Sequence, residues 1–228
     1  MPISYESVVP WGRSYDEYVS MFALTDRDLA GTVLGCGDGP AAFNADLTAR
    51  GGRVVSVDPI YRFTRGEIER RIKETRDKVV EQTERNLGHF LWTKFKDLDH
   101  LVRVRLGAMA RFLEDFEKGK AEGRYREGEL PDLPSFDGRF SLALSSHFLF
   151  FYSDNLTYEF HEKSIDAMLD AADEARIFPI VDLNLNRSPY LGGIVDRYRG
   201  KGYAVEERRV DYEFQKGGDR MLTIRASG

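Results

Sequence analysis

With 228 residues, 42% of them hydrophobic, the chain can bury one substantial core, and a single domain is expected over 1–228. No apolar run approaches the roughly 20 residues needed to cross a bilayer, and Met1-Pro2-Ile3-Ser4-Tyr5-Glu6 lacks a basic region followed by an apolar one, so a soluble, cytoplasmic protein is expected. The one cysteine, Cys36, excludes an intrachain disulfide and a cysteine-rich zinc site, and the net charge of −5 argues against bulk attraction to nucleic acid.

In chain order, residues 1–30 form an amino-terminal cap: after Trp11-Gly12-Arg13-Ser14-Tyr15, the spacing of Tyr18, Met21, Phe22 and Leu24 predicts a short amphipathic helix ending near Asp26. A strand is predicted at Thr32–Leu34, a helix from about Pro40 to Arg50, and a second strand at Arg53–Val57. A helical insertion then fills about 62–122. Ile68, Ile72, Val79, Leu87, Phe90 and Leu91 approximate one helical stripe, and Leu98, Leu101, Val102, Met109, Phe112, Leu113 and Phe116 another. The β-branched residues at 102–106 permit a competing strand. The third strand is placed at Arg124–Glu127. Asp154 or Asn155 is expected to cap the next helix, through to about Asp173. Ile177–Val181 reads as strand five, where Pro179 calls for a bulge or a strand end. A helix at Leu191–Arg199 and two strands, Tyr203–Phe214 and Arg220–Arg225, joined through Lys216-Gly217-Gly218-Asp219, complete the chain.

Charge is uneven along this plan. From Arg62 to Arg126 there are 17 Lys/Arg against 12 Asp/Glu, which leaves −10 for the remainder. Acids interrupt nearly every basic pair, as on solvated helix faces, but a face for an anionic substrate is the other reading.

Gly35-Cys36-Gly37-Asp38-Gly39 follows a strand and precedes another that ends at Asp58. Glycines there permit a sharp turn and close approach of a ligand to the backbone. Asp58, followed by Pro59, can accept hydrogen bonds from two ribose hydroxyls. The spacing is G-x-G-x-G followed by Pro40, whereas dinucleotide loops carry G-x-G-x-x-G, so the loop alone leaves the nucleoside open.

A second segment, Gly128-Glu129-Leu130-Pro131-Asp132-Leu133-Pro134-Ser135-Phe136-Asp137-Gly138-Arg139-Phe140 leading into Ser141–His147, resembles the middle of class I S-adenosylmethionine-dependent methyltransferases. With the loop, the resemblance covers about 30–60 and 124–228. It implies an α/β fold: a Rossmann-like, seven-stranded, mostly parallel sheet with an antiparallel carboxy-terminal hairpin, and here a helical insertion between strands two and three. It further implies S-adenosylmethionine as cofactor, S-adenosylhomocysteine as product, Glu129 and Leu130 beside the adenine, a fourth strand at Phe140–Ser145, and Ser145, Ser146 and His147 bordering the methyl donor. Many family members place an acid two residues before the first loop glycine, where this chain has Val33; either Asp38 substitutes or the methionine end is held differently.

For binding, the candidates are therefore Gly35, Cys36, Gly37, Asp38, Gly39, Asp58, Pro59, Glu129, Leu130, Ser145 and Ser146, with Arg13 matched in geometry to the methionine carboxylate. His147 is the acid/base candidate, or else a residue that shapes the loop. His161 is expected to face outward, and Phe148, Phe150, Phe151 and Tyr152 form a cluster that is either core or acceptor pocket. Asp182, Asn184 and Asn186 can orient a polar acceptor; no metal site is expected.

A cysteine confined to the loop is badly placed for attack on a pyrimidine, and Ser145-Ser146-His147-Phe148 stands where amino-nitrogen methylation uses an Asn-Pro-Pro-Tyr type motif. A small-molecule acceptor is the first expectation. An RNA methyltransferase using the basic insertion, a protein that binds the cofactor without transfer, and a transferase moving the aminocarboxypropyl group are the alternatives.

Overall fold

Period-two alternation in the short strands divides their side chains between two layers. In β1 (Thr32–Cys36), Val33 packs with the amino-terminal helices while Leu34 and Cys36 face the opposite side; in β4 (Leu142–Ser146), Leu142 and Leu144 face the first layer and Ala143 the second. The computed structural model describes residues 11–226. The first ten residues of the expected cap lie outside the described residues.

The sheet order is β3-β2-β1-β4-β5-β7-β6, with β2 at Arg53–Val57, β3 at Tyr125–Arg126, β5 at Glu174–Phe178, β6 at Tyr203–Arg209 and β7 at Arg220–Ala226. Pairings among β1 to β5 are parallel, and β7 runs antiparallel to both β5 and β6. This is the expected Rossmann-like sheet with an antiparallel terminal hairpin, the sheet of class I methyltransferases. Its switch of direction, where the chain leaves β1 for β2 on one side and β4 lies on the other, opens a crevice at the carboxyl ends of the strands.

Helices α1 (Tyr15–Met21) and α3 (Phe43–Ala49) cover one face, with α2 (Asp26–Ala30) leading into β1. The amino-terminal segment therefore breaks into two helices rather than one, because Thr25 starts a fresh capping box with Asp28. Helices α6 (Tyr158–Ala171) and α7 (Leu191–Gly200) cover the other face.

The insertion is two long helices, α4 (Arg65–Arg85) and α5 (Leu98–Ala121), packed on each other, and residues 102–106 are helical. Ile68, Ile72, Met109, Phe112 and Phe116 join Tyr61 and Tyr125 in a cluster that fastens the pair to the β3 edge.

Several boundaries differ from expectation: α4 ends at Arg85, short of Leu87, Phe90 and Leu91, α3 starts at Phe43 rather than Pro40, and β4 starts at Leu142 rather than Phe140. Strand five ends at Phe178, so Pro179 follows the ladder and interrupts nothing. Strand β6 stops at Arg209 because Val210 and Tyr212 turn inward to the core. Helix α6 is capped by Thr157, whose hydroxyl accepts from Phe160 N–H, rather than by Asp154 or Asn155. That start turns His161 inward: it is fully buried, stacks on Phe150 at 5.3 Å, and its Nδ1 lies 2.7 Å from the Thr157 carbonyl.

Candidate functional site

Two adjoining cavities open at the carboxyl ends of the strands, and Trp11, Arg13 and His147 line both. The first encloses ≈ 860 Å³ including its mouth and is walled by Gly37–Pro40, Asp58–Ile60, Glu129, Leu130 and Ser146–Phe148. Gly37 and Gly39 have φ of +75° and +54°, a region that costs a residue with a Cβ, so the loop can lay its backbone along this cavity.

Asp58 caps the short 3-10 turn after β2. Its Oδ1 accepts from Ile60 N–H at 2.9 Å and its Oδ2 from Gly39 N–H at 2.8 Å, tying the second strand to the glycine loop. Burial raises its pKa to about 6 despite those donors, with the charges of Asp38 and Glu129 adding to the rise. Each carboxylate oxygen retains acceptor capacity for a ribose hydroxyl.

Asp38 is folded back over the strand end. It accepts from Tyr18 Oη at 2.9 Å and Ser56 Oγ at 2.6 Å, and burial lifts its pKa to about 6 against the lowering effect of those two donors. This fold-back is possible because Gly35 has no side chain: a Cβ there would lie 1.8 Å from Asp38 Oδ2.

Most of the expected binding residues meet in this cavity: Arg13, Gly37, Asp38, Gly39, Asp58, Pro59, Glu129, Leu130, Ser146 and His147. Gly35, Cys36 and Ser145 do not line it. Cys36 is buried in the opposite layer, where burial pushes its thiol well above its ordinary pKa, and Ser145 is fully buried in β4. These three positions lie within β1 and β4, behind the crevice mouth.

The second cavity, ≈ 710 Å³ including its mouth, lies between the insertion and the segment before β7, with Leu101, Phe90, Phe151, Leu183 and Phe214 among its walls. The aromatic cluster after β4 is thus divided: Phe148 faces the first cavity, Phe151 and Tyr152 the second, and Phe150 the core.

At the junction, His147 has φ +51°, and its N–H donates to the Phe178 carbonyl at 2.6 Å. Its ring lies edge-on to Phe151 and Phe178, and its Nδ1 is 3.0 Å from Ser146 Oγ. Burial, reinforced by the charges of Arg13 and Arg105, holds its pKa well below the ordinary value, so the imidazole is neutral at pH 7, a weak base whose lone pair can accept a hydrogen bond.

Sequence reading missed Arg105, Glu17, Tyr18 and Tyr212. Arg105 pairs with Glu17 inside the protein, and Tyr212 donates to the second Glu17 oxygen at 2.8 Å. Burial would raise the Glu17 pKa, but the Arg105 charge and the Ser14 N–H hold it below its ordinary value. The signal was present: Arg105 interrupts the apolar series Leu101, Ala108, Met109 and Phe112 on the buried face of α5. Asp182, by contrast, accepts from the backbone N–H groups of Asn184 and Asn186 and shapes a turn; among the described residues no cluster suited to a metal is found.

The sheet order and the loop are those that the resemblance to class I methyltransferases implies. The chain belongs to the family of the uncharacterized protein MJ0045 of Methanocaldococcus jannaschii, with which it is 33% identical over 225 residues, 98% of both chains. No protein-family model matches it. Among solved structures it is similar to the magnesium protoporphyrin IX methyltransferase of Synechocystis PCC 6803 with bound SAM, at 12% identity over 93% of this chain and 78% of that one, TM-score 0.49. It is also similar to a precorrin-6y C5,15-methyltransferase of Geobacter metallireducens, at 12% identity over 93% and 87%, TM-score 0.45. No described helix is long and apolar enough to cross a membrane.

Proposed function

We propose that the protein is an S-adenosylmethionine-dependent methyltransferase acting on a small-molecule acceptor. The observation that carries this reading is the pair of cavities meeting at His147, one with nucleoside chemistry and the other with apolar walls. Three acids, Asp38, Asp58 and Glu129, line the first cavity. They favour a ligand with cationic groups over a dinucleotide, whose pyrophosphate they would repel.

The donor set fits S-adenosylmethionine. Asp58 would receive the ribose hydroxyls, Leu130 would pack against the adenine beside Glu129, and Gly37 and Gly39 would admit the ligand close to the backbone. Arg13, at the boundary, would meet the methionine carboxylate. When bound, the cofactor supplies an electrophilic methyl on a sulfonium. The chain's own part is alignment, exclusion of water and, at the His147 imidazole, acceptance of the proton that the acceptor's nucleophilic atom gives up. In balance, a bond forms from that atom to the methyl carbon and the carbon–sulfur bond breaks with its electron pair left on sulfur, giving S-adenosylhomocysteine.

The apolar lining of the second cavity supports the small-molecule reading over the RNA reading. The basic residues of α4 lie on its exposed side, whereas its buried face carries Ile68, Ile72, Val79 and Thr83.

Calorimetric titration with S-adenosylmethionine, S-adenosylhomocysteine and NAD tests the proposal. Micromolar binding of the two sulfur nucleosides without NAD supports it, and failure of both to bind overturns it.

A further inference from the structure

The second cavity is electrically lopsided. Its two charged lining groups are Arg13 and Arg105, and among the described residues no carboxylate lines it. Arg105 is 2% exposed, and the one nearby carboxylate, Glu17, lies behind it in the ion pair. Among the described residues the two guanidinium groups therefore share one carboxylate.

The Nε atoms of both arginines are shielded from solvent and have no hydrogen-bond partner. Burial, then the neighbouring Arg105 charge, draws the Arg13 pKa down to about 10, which still leaves it charged at pH 7. Arginine does not shed its proton, so a buried cation short of partners among the described residues favours an anionic ligand. On the methyltransferase reading the methionine carboxylate meets Arg13, which leaves the Arg105 donors not used by Glu17 as the cationic face open to an acceptor.

We propose that this cavity takes a small organic carboxylate as the methyl acceptor, with an apolar, ring-sized body among Phe90, Phe151 and Phe214 and its carboxylate toward Arg105. This rests on the methyltransferase reading and names its substrate class. One guanidinium with an open donor face suits one carboxylate rather than a polyphosphate chain, and apolar walls offer no track of cations for a nucleic-acid backbone. The guanidinium fork of Arg105 has its Nη1 on Glu17, while its Nη2 is 3.4 Å from Tyr212 Oη, a long contact that a carboxylate would replace with a stronger one. Arg105 is here a binding residue that fixes which end of the acceptor enters first.

The test titrates the protein loaded with S-adenosylhomocysteine with 4-hydroxybenzoate and with 4-hydroxybenzamide, molecules of one shape that differ in charge. The acid is expected to bind roughly tenfold or more tightly than the amide. The double variant Glu17→Gln/Arg105→Met removes the ion pair without stranding a charge; it should keep its affinity for S-adenosylhomocysteine and bind acid and amide alike. Should that variant not fold, Glu17→Gln alone leaves Arg105 without its partner and should strengthen binding of the acid but not of the amide. Equal binding of the two probes, binding of neither, an unchanged preference in the variants, or displacement of the acid by an RNA hairpin overturns the proposal. Failure of the wild-type protein to bind S-adenosylhomocysteine overturns the methyltransferase reading instead.

Discussion

Gly35→Ala addresses the joint between sequence motif and site geometry. The three heavy atoms nearest an added Cβ all belong to the Asp38 carboxyl, at 1.8, 2.4 and 2.7 Å, so the carboxylate must leave its seat over the strand. It would then lose the hydroxyl donors Tyr18 and Ser56, both themselves buried. Hydrogen bonds to a charged acceptor contribute about 1.5–3 kcal/mol each, and part of that loss is offset because the displaced carboxylate regains solvent. A net destabilisation of about 2–4 kcal/mol is expected, which for a chain of this size corresponds to a Tm fall of roughly 5–15 °C. Scanning calorimetry supported by urea unfolding measures it, and a double-mutant cycle isolates the cause. In an Asp38→Ala background the same Gly35→Ala change should cost less than about 1 kcal/mol. An undiminished cost in that background would refute the reasoning, since the glycine would then be required by something other than the folded-back acid.

Other perturbations separate binding from chemistry. Asp58 must be ionised to accept from both ribose hydroxyls, and with a pKa of about 6 its ionised fraction falls about tenfold from pH 7 to pH 5; affinity for S-adenosylhomocysteine measured by calorimetry should follow, and Asp58→Asn should bind weakly at both values. The raised pKa of Asp38 means that the native state holds a proton the unfolded chain has released between about pH 4 and 6, so this group's contribution to stability falls as pH rises through that window. Asp38→Asn should remove that slope and stabilise the ligand-free protein at pH 7 by an amount on the order of 1–3 kcal/mol in urea titrations. His147→Asn keeps a side chain tolerated at φ +51° and should lower single-turnover methyl transfer about 10²-fold or more while changing cofactor affinity by no more than about threefold; unchanged turnover would remove the base assignment. Arg70→Ala/Arg71→Ala neutralises two exposed residues of α4 and should leave small-molecule turnover within about twofold.

The parts of the fold legible in the sequence were those set by local patterning. Arg53–Val57, with three valines in five residues, is the observed strand, and the two apolar stripes of the insertion mark the two observed helices, except that Leu87, Phe90 and Leu91 lie beyond the end of α4. Strand five was displaced toward Ile177–Val181 because its true span contains Glu174 and Arg176, which read as polar; Arg176 is buried by pairing with Glu174 and Asp28, and the Asp28 partner comes from a distant helix. Strand six was read too long because Val210 and Tyr212 look like strand residues but are drawn into the core beside α1.

At the site, the loop glycines, Asp58, Glu129 and His147 announce themselves by residue type and spacing. The cluster of Arg13, Glu17, Arg105 and Tyr212 does not, because its members come from three separate parts of the chain and their charge balance exists only after folding.

The division of labour between the two cavities is tested most directly by the crystal structure of the protein with S-adenosylhomocysteine. The expected result has the ribose hydroxyls on Asp58, the adenine beside Leu130, and the sulfur facing His147 at the boundary of the second cavity. A ligand seated instead between the insertion and Phe214, or one whose sulfur points away from His147, would contradict it.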